Sequence, residues 1–210
     1  MLWRILVAAA LTLAILYFWQ RMRAAKASAD RDRASLARPK TLPNVRVGGV
    51  LSVRGLPDGE KNLVVAKRHG YSQGSSRWGE LVAEDGTDQV FLEFEEDDRL
   101  EVSLTRQSKE RLSDLQLDED ALIRFDEDED GTFEHDGKRW RYVESAEAFF
   151  HEDGRPGPGD GFYYWDFEEV GGPGLISVER YEGEPFTVFR GQKIRPEDVS
   201  VWSVDSADTA

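Results

Sequence analysis

Two stretches of the chain carry the same succession of apolar and polar positions. Trp78–Gln107 reads WGELVAEDGTDQVFLEFEEDDRLEVSLTRQ and Trp165–Gln192 reads WDFEEVGGPGLISVERYEGEPFTVFRGQ. Each opens on a Trp followed by an acid-bearing apolar run and then a Gly-containing turn. Each continues with an apolar run ending in an acid, Phe91–Glu95 in one and Leu175–Glu179 in the other, and closes on an alternating segment. Alternation with a period of two is the mark of half-buried strands. The pattern predicts a mainly β chain built from two degenerate β-rich repeats, 42–107 and 131–204. Such a unit folds as a barrel or as a sandwich, and the pattern does not choose between them.

Within the first repeat, Val45–Val53 is expected as a strand bent at Gly48-Gly49, and Asn62–Lys67 as a second strand. Gly70–Ser76 reads as a polar loop, followed by strands at Gly79–Ala83, Gln89–Phe94 and Arg99–Thr105. Residues 108–130 form an acidic connector, with a short helix capped by Ser108 and carrying Leu112 and Leu115. The second repeat opens on a hairpin around Asp136-Gly137, a dipeptide suited to a two-residue turn. Strands follow at Gly161–Phe167, Leu175–Arg180, Phe186–Arg190 and Val199–Val204. Residues 205–210 are expected to be a disordered tail.

The N-terminus has a different character. Residues 2–19, LWRILVAAALTLAILYFW, are apolar except for Arg4 and Thr12. As a helix they span about 27 Å, near the hydrocarbon thickness of a bilayer. Residues 1–20 are therefore expected to be a transmembrane anchor and 21–41 a basic juxtamembrane stalk. A cleaved signal peptide competes, but bulky aromatics and then Arg21 and Arg23 stand where small neutral residues are needed. Basic residues after the span place the C-terminal body in the cytoplasm, giving a single-pass protein of the inner membrane. Arg21, Arg23 and Lys26 are placed to contact anionic headgroups.

Charge sharpens this division. Residues 1–40 carry a net charge of +6 and the remaining 170 a net of −20. So acidic a body repels nucleic acid and attracts cations or basic partners. The absence of Cys excludes disulfides and thiolate chemistry. No nucleophile, phosphate-binding or cofactor motif is present, so the chain is expected to be non-enzymatic and to need no cofactor.

Three groups of residues remain as candidate sites. Asp126, Asp128 and Asp130 match the opening of a calcium loop, but its twelfth position is Gly137 where a bidentate Glu is required, which favours a solvated acidic turn. His69, His135 and His151 lie beside turns at no ligating spacing and are expected to be exposed. Glu93 and Glu179 occupy similar places in the two repeats, as do Glu80 and Asp166 near Trp78 and Trp165. Packed about a pseudo-two-fold, these acids converge on one cleft; otherwise they are the outward positions of alternating strands, the reading the pattern favours. Trp78, Trp140, Trp165 and Trp202 are expected as core anchors. An aromatic-acidic pocket for an amine is the alternative for the two repeat Trp.

Arg77–Leu81, Phe91–Glu93, Asp136–Trp140, Tyr164–Glu168, Ile176–Arg180 and Pro196–Asp198, taken in order and spacing, resemble a bacterial family of domains of unknown function, number 4178. The resemblance covers about residues 42–204. It implies an all-β fold, no established activity, and members encoded near membrane proteins, polyamine-synthase-like enzymes and envelope-stress factors. The expectation is a membrane-anchored binding or scaffold module with membrane lipid and a protein as partners and no nucleic acid. The alternative is a sensor of small cations such as polyamines or calcium.

Overall fold

A computed structural model describes residues 39–86 and 88–205. The chain is mainly β, with eleven strands: β1 Val50–Val53, β2 Lys61–Gln73, β3 Ser76–Asp85, β4 Asp88–Glu96, β5 Leu100–Gln107, β6 Thr132–His135, β7 Lys138–His151, β8 Asp160–Glu169, β9 Gly174–Tyr181, β10 Thr187–Ile194 and β11 Val199–Ser203. One α-helix, α1 (Glu119–Asp128), stands among the described residues. The sheet is antiparallel in the order β11-β1-β2-β3-β4-β5-β10-β9-β8-β7-β6. In addition β2 pairs with β7, setting Gly70 opposite His151 and Tyr71 opposite Phe150. The ladder thus returns on itself through two four-stranded meanders, β2–β5 and β7–β10. The 13-residue β2 serves both arrangements, because its first residues pair with β1 and its last with β7.

Residues directly opposite one another in an antiparallel pair point to the same face. Across β3, β4 and β5, Glu80, Glu93 and Ser103 share one face, and Leu81, Leu92 and Leu104 the other. Across β8 and β9, Tyr164 opposes Glu179 and Asp166 opposes Ser177, while Trp165 opposes Val178 and Phe167 opposes Ile176. The polar faces of both meanders look into the space between them. Their apolar faces look outward, and each is covered by chain from elsewhere. Leu42, Val45, Leu51 and Val53 pack over Leu81, Leu92 and Leu104. Leu112, Leu115 and Leu122 of the connector pack over Phe167, Ile176 and Val178. Full burial of side chains such as Leu92 and Phe167 stabilises by about 1.5–3 kcal/mol each.

Several elements differ from the pattern-based expectation. Only Val50–Val53 of the 45–53 run is strand. Val45 is instead a fully buried core residue, and the Gly48 N–H donates to the Val65 carbonyl at 2.8 Å. Gly70–Ser76 is not a loop: it is the end of β2, a Gly74-Ser75 turn and the start of β3, held extended by the seam with β7. The connector helix begins later than Ser108. A 3-10 turn covers Leu112–Leu115, and α1 takes up most of the acidic run. Asp118 caps α1 by accepting from the Ala121 N–H at 2.7 Å, and Glu119 and Asp120 follow in its first turn. Acids at a helix N-terminus interact favourably with its dipole, so Glu119 and Asp120 stabilise the start of α1. His69 and His135 are buried, at 7% and 8% exposure. Trp202 is no core anchor: it is 60% exposed and lies over Ser52, to which its Nε1 donates at 3.2 Å. The apolar segment 2–19, the basic stalk with Arg21, Arg23 and Lys26, and residues 206–210 lie outside the described residues. Among the described residues no helix is long and apolar enough to cross a membrane.

The seam between the meanders depends on a glycine. A Cβ on Gly191 of β10 would collide with the Leu104 carbonyl oxygen and come within 2.6 Å of the Thr105 Cα in β5. Gly191→Ala is expected to lower stability by about 1–3 kcal/mol through this backbone crowding. The readout is a reduced urea midpoint, and an unchanged midpoint would show that the strands are not so closely apposed.

Candidate functional site

The meanders enclose a cavity of about 350 Å³. Its walls carry acids from both sides: Glu93 from β4, Glu144 from β7, Asp166 and Glu168 from β8, and Glu179 from β9. Lys193 is the one basic residue on that wall, and it is ion-paired with Glu168. No hydrogen bond or ion pair from a described residue neutralises Glu93 or Glu179. Asp166 Oδ1 is closed off from solvent and has no hydrogen-bond partner. Glu80, 5% exposed, sits behind the wall and accepts from the Tyr71 hydroxyl at 3.2 Å.

An aromatic cluster closes one end. Tyr71 stacks on Trp78 with ring centres 5.3 Å apart and meets Phe162 edge-on at 5.8 Å. Phe162 in turn stacks on Tyr181 at 5.1 Å. The Tyr164 hydroxyl donates to Gln73 Oε1 at 2.7 Å. These rings keep water from one side of the acids, so the carboxylates sit in a medium that disfavours charge.

The electrostatics follow. Burial pushes the Glu93 carboxyl up to about 8, and the charge of Glu80, its cross-strand neighbour, adds to the effect. Burial raises Glu80 to about 7 against the opposing hydrogen bond from Tyr71. Asp166 rises to about 7 through burial, opposed by Ser177 and reinforced by Glu93, Glu144 and Glu168. Glu179 is pushed well above its ordinary value by burial and then by Glu93, Asp166 and Glu80. Each meander therefore senses the acids of the other. A cluster of strongly perturbed carboxyls in a cavity is a common mark of a functional site.

The sequence-predicted residues divide as follows. Trp78, Glu93, Asp166 and Glu179 line the cavity, and Glu80 lies directly behind it. Trp165 does not: it packs on the outer face against Tyr163 and Phe186, at 4.6 and 6.0 Å between ring centres. The spacing signals this difference, because Glu80 is two residues after Trp78 and shares its face, whereas Asp166 is one residue after Trp165 and takes the opposite one. Asp126, Asp128 and Asp130 are not brought together as metal ligands. The first two belong to α1, and Asp126 Oδ1 accepts from the Tyr163 hydroxyl at 2.9 Å and from Ser145. Tyr71 and Tyr164 also line the cavity without a sequence signal for it, Tyr71 because its polar neighbours read as loop.

A second acidic group involves the buried histidine of the hairpin. Glu110, His135 and Asp136 place ligating atoms within 4.8 Å of one another, the one such triad among the described residues. Arg190 already occupies it, with Nη1 donating to Glu110 at 3.1 Å and to Asp136 at 2.8 Å. This is an internal ion-pair network that ties the connector and the β6–β7 hairpin to β10.

The raised carboxyls have a consequence for stability. A carboxyl whose pKa is higher folded than unfolded holds its proton better in the native state. Its contribution is fully present below its unfolded value, 4.5 for the Glu residues and 3.8 for Asp166, and is lost as pH rises through about 7 to 8 for Glu80, Asp166 and Glu93. Glu93→Gln, which mimics the protonated acid, is expected to gain stability over the native chain as pH rises from 5.5 to 9, by a few kcal/mol (order of magnitude). Denaturation at several pH values checks this, and a difference that does not change with pH would mean that Glu93 ionises as if in water.

No curated protein and no solved structure matches the chain. A family model described as a domain of unknown function, DUF4178, matches residues 58–196, from just before β2 to just after β10. That span holds both meanders and the connector, and so the chain belongs to the DUF4178 family.

Proposed function

We propose that the protein is a membrane-anchored, non-enzymatic binding module that holds a small organic cation between its meanders. The observation that carries this reading is the set of acids around one cavity, Glu93, Asp166 and Glu179 with Glu80 behind them, and the one lining base already paired. On this reading the closed ring of eight strands acts as a barrel, produced by duplication of a four-stranded meander. The apolar segment 2–19 and the basic residues after it support a tether at the cytoplasmic face of the membrane. A protein partner is compatible with the tether.

An ammonium-bearing ligand fits better than a bare divalent metal. Among the described residues no three of the cavity acids bring oxygens within 4.8 Å of one another, as chelation of one ion requires. Acids spread over both walls suit a cation with separated charges, and Tyr71 and Trp78 offer ring faces for cation–π contact. A second reading rests on the cross-strand pair Glu80 and Glu93, two acids raised to about 7 and about 8, as general acid and base. Turnover of a bound amine would favour it over simple binding.

The test is thermal stability of the full-length chain with spermidine, calcium, or salt at matched ionic strength. Spermidine is expected to stabilise beyond the salt control, by about 2.7 kcal/mol at a hundredfold excess over its Kd. The double variant Glu93→Gln/Glu179→Gln keeps the shape of the cavity and is expected to abolish the effect. No shift above salt, or a shift that survives the double substitution, would sink the reading.

A further inference from the structure

We infer that the cavity takes up its cation in exchange for protons, so that ligand occupancy and proton occupancy are alternatives at one set of carboxyls. The inference rests on the cation-site reading above and adds how that site is controlled. Its basis is geometric. Glu93 and Glu179 face the cavity from opposite meanders with no counter-charge from any described residue. Asp166 lines the same space with a fully enclosed oxygen that lacks a partner. Several carboxylates cannot share so small a volume as unpaired anions, because each would repel the others at short range in a poorly solvated space. Either protons or an added cation must neutralise them.

Every group that faces them points the same way. From β2, Tyr71 offers a hydroxyl already donated to Glu80, and burial pushes its own ionisation higher. His69 stands opposite Glu80 across β2 and β3, and burial holds its imidazole below the ordinary value, which disfavours the cation. From β5, Glu101 adds an acid at the rim, and from β4 Glu95 adds another. Glu144 of β7 opposes Asp166 directly. From β8 and β9, Tyr164 and Tyr181 contribute phenols whose ionisation burial raises. Lys193 of β10 is the sole cation, and Glu168 takes it. With no counter-charge on the facing side chains, the acids hold protons more readily than they would in water, as the raised values for Glu93, Asp166 and Glu179 express. A ligand that brings positive charge restores the carboxylates, and the displaced protons pass to the solvent buffer.

The test is calorimetric titration of spermidine into the full-length chain at pH 7 in two buffers, phosphate and Tris, whose ionisation heats differ widely. Proton release makes the observed heat differ between them, and the expected difference corresponds to one proton or more per spermidine. The Kd is expected to weaken at least tenfold between pH 8 and pH 6. Glu93→Gln, which removes one exchanging site, is expected to lessen the buffer dependence. Binding with equal heats in both buffers and a Kd that does not vary with pH would overturn proton exchange and leave the cation site standing. Absence of binding in either buffer at pH 8 would overturn the site itself, and the inference with it.

Discussion

The constraint on which the structure depends is the burial of carboxyl groups on the inner face of a closed strand ring. A small strand ring ordinarily fills its interior with apolar side chains. Here the interior face carries Glu80, Glu93, Asp166 and Glu179, and the large aliphatic residues of the same strands point the other way. Leu81, Leu92, Phe167 and Ile176 would then lie in water unless something covered them. The segments flanking the ring supply that cover. Leu42, Val45 and β1 close one outer face, and the connector with Leu112, Leu115 and Leu122 closes the other. The covering layers are thus a direct consequence of the polar interior.

The joins between the meanders follow the same logic. Since the acids repel one another across the ring whenever they ionise, something else must hold its halves together. At one seam β5 and β10 approach so closely that only Gly191 fits. At the other, the aromatic cluster of Tyr71, Phe162 and Tyr181 packs beside the β2–β7 pairing, so apolar burial offsets repulsion where the ring closes. Arg190 adds a charged tie outside the cavity, drawing Glu110 and Asp136 onto β10. Apart from Lys193, which Glu168 takes, positive charge goes to the outer framework, and Glu93, Asp166 and Glu179 are left without it.

Much of this was legible from residue order. The echo between Trp78–Gln107 and Trp165–Gln192 covers β3–β5 and β8–β10, and the similar placement of Glu93 and Glu179 offers their meeting as the less favoured of two readings. Asp136-Gly137, both at positive φ, makes the hairpin its dipeptide suggests. What escaped depended on contacts distant in sequence. Gly70 and Ser72 look like loop residues until β7 supplies an extended partner. Leu122 and Phe125 look too few for a helix until the apolar outer face of β7–β9 supplies burial. Whether an alternating position is outward or inward depends on closure, and closure is not a local property. That is why the favoured reading of the acids as solvent-facing differs from where they lie.

The acids of the cavity are poor choices for stability alone. Replacing an isolated buried carboxyl with a neutral isostere removes a desolvation cost that the fold otherwise carries at neutral pH. The exterior has no need of these groups for solubility, because the body is already strongly acidic without them. Nor do they hold the ring together, since their mutual repulsion works against closure. A fold that encloses unpaired acids from both meanders, and spends its basic residues elsewhere, has given up stability at one place. The chemistry of that place is a deficit of positive charge in a space of limited size, bordered by aromatic faces. On the proposed reading, whatever enters must bring the missing charge with it, so that protons and organic cations would compete for the same oxygens.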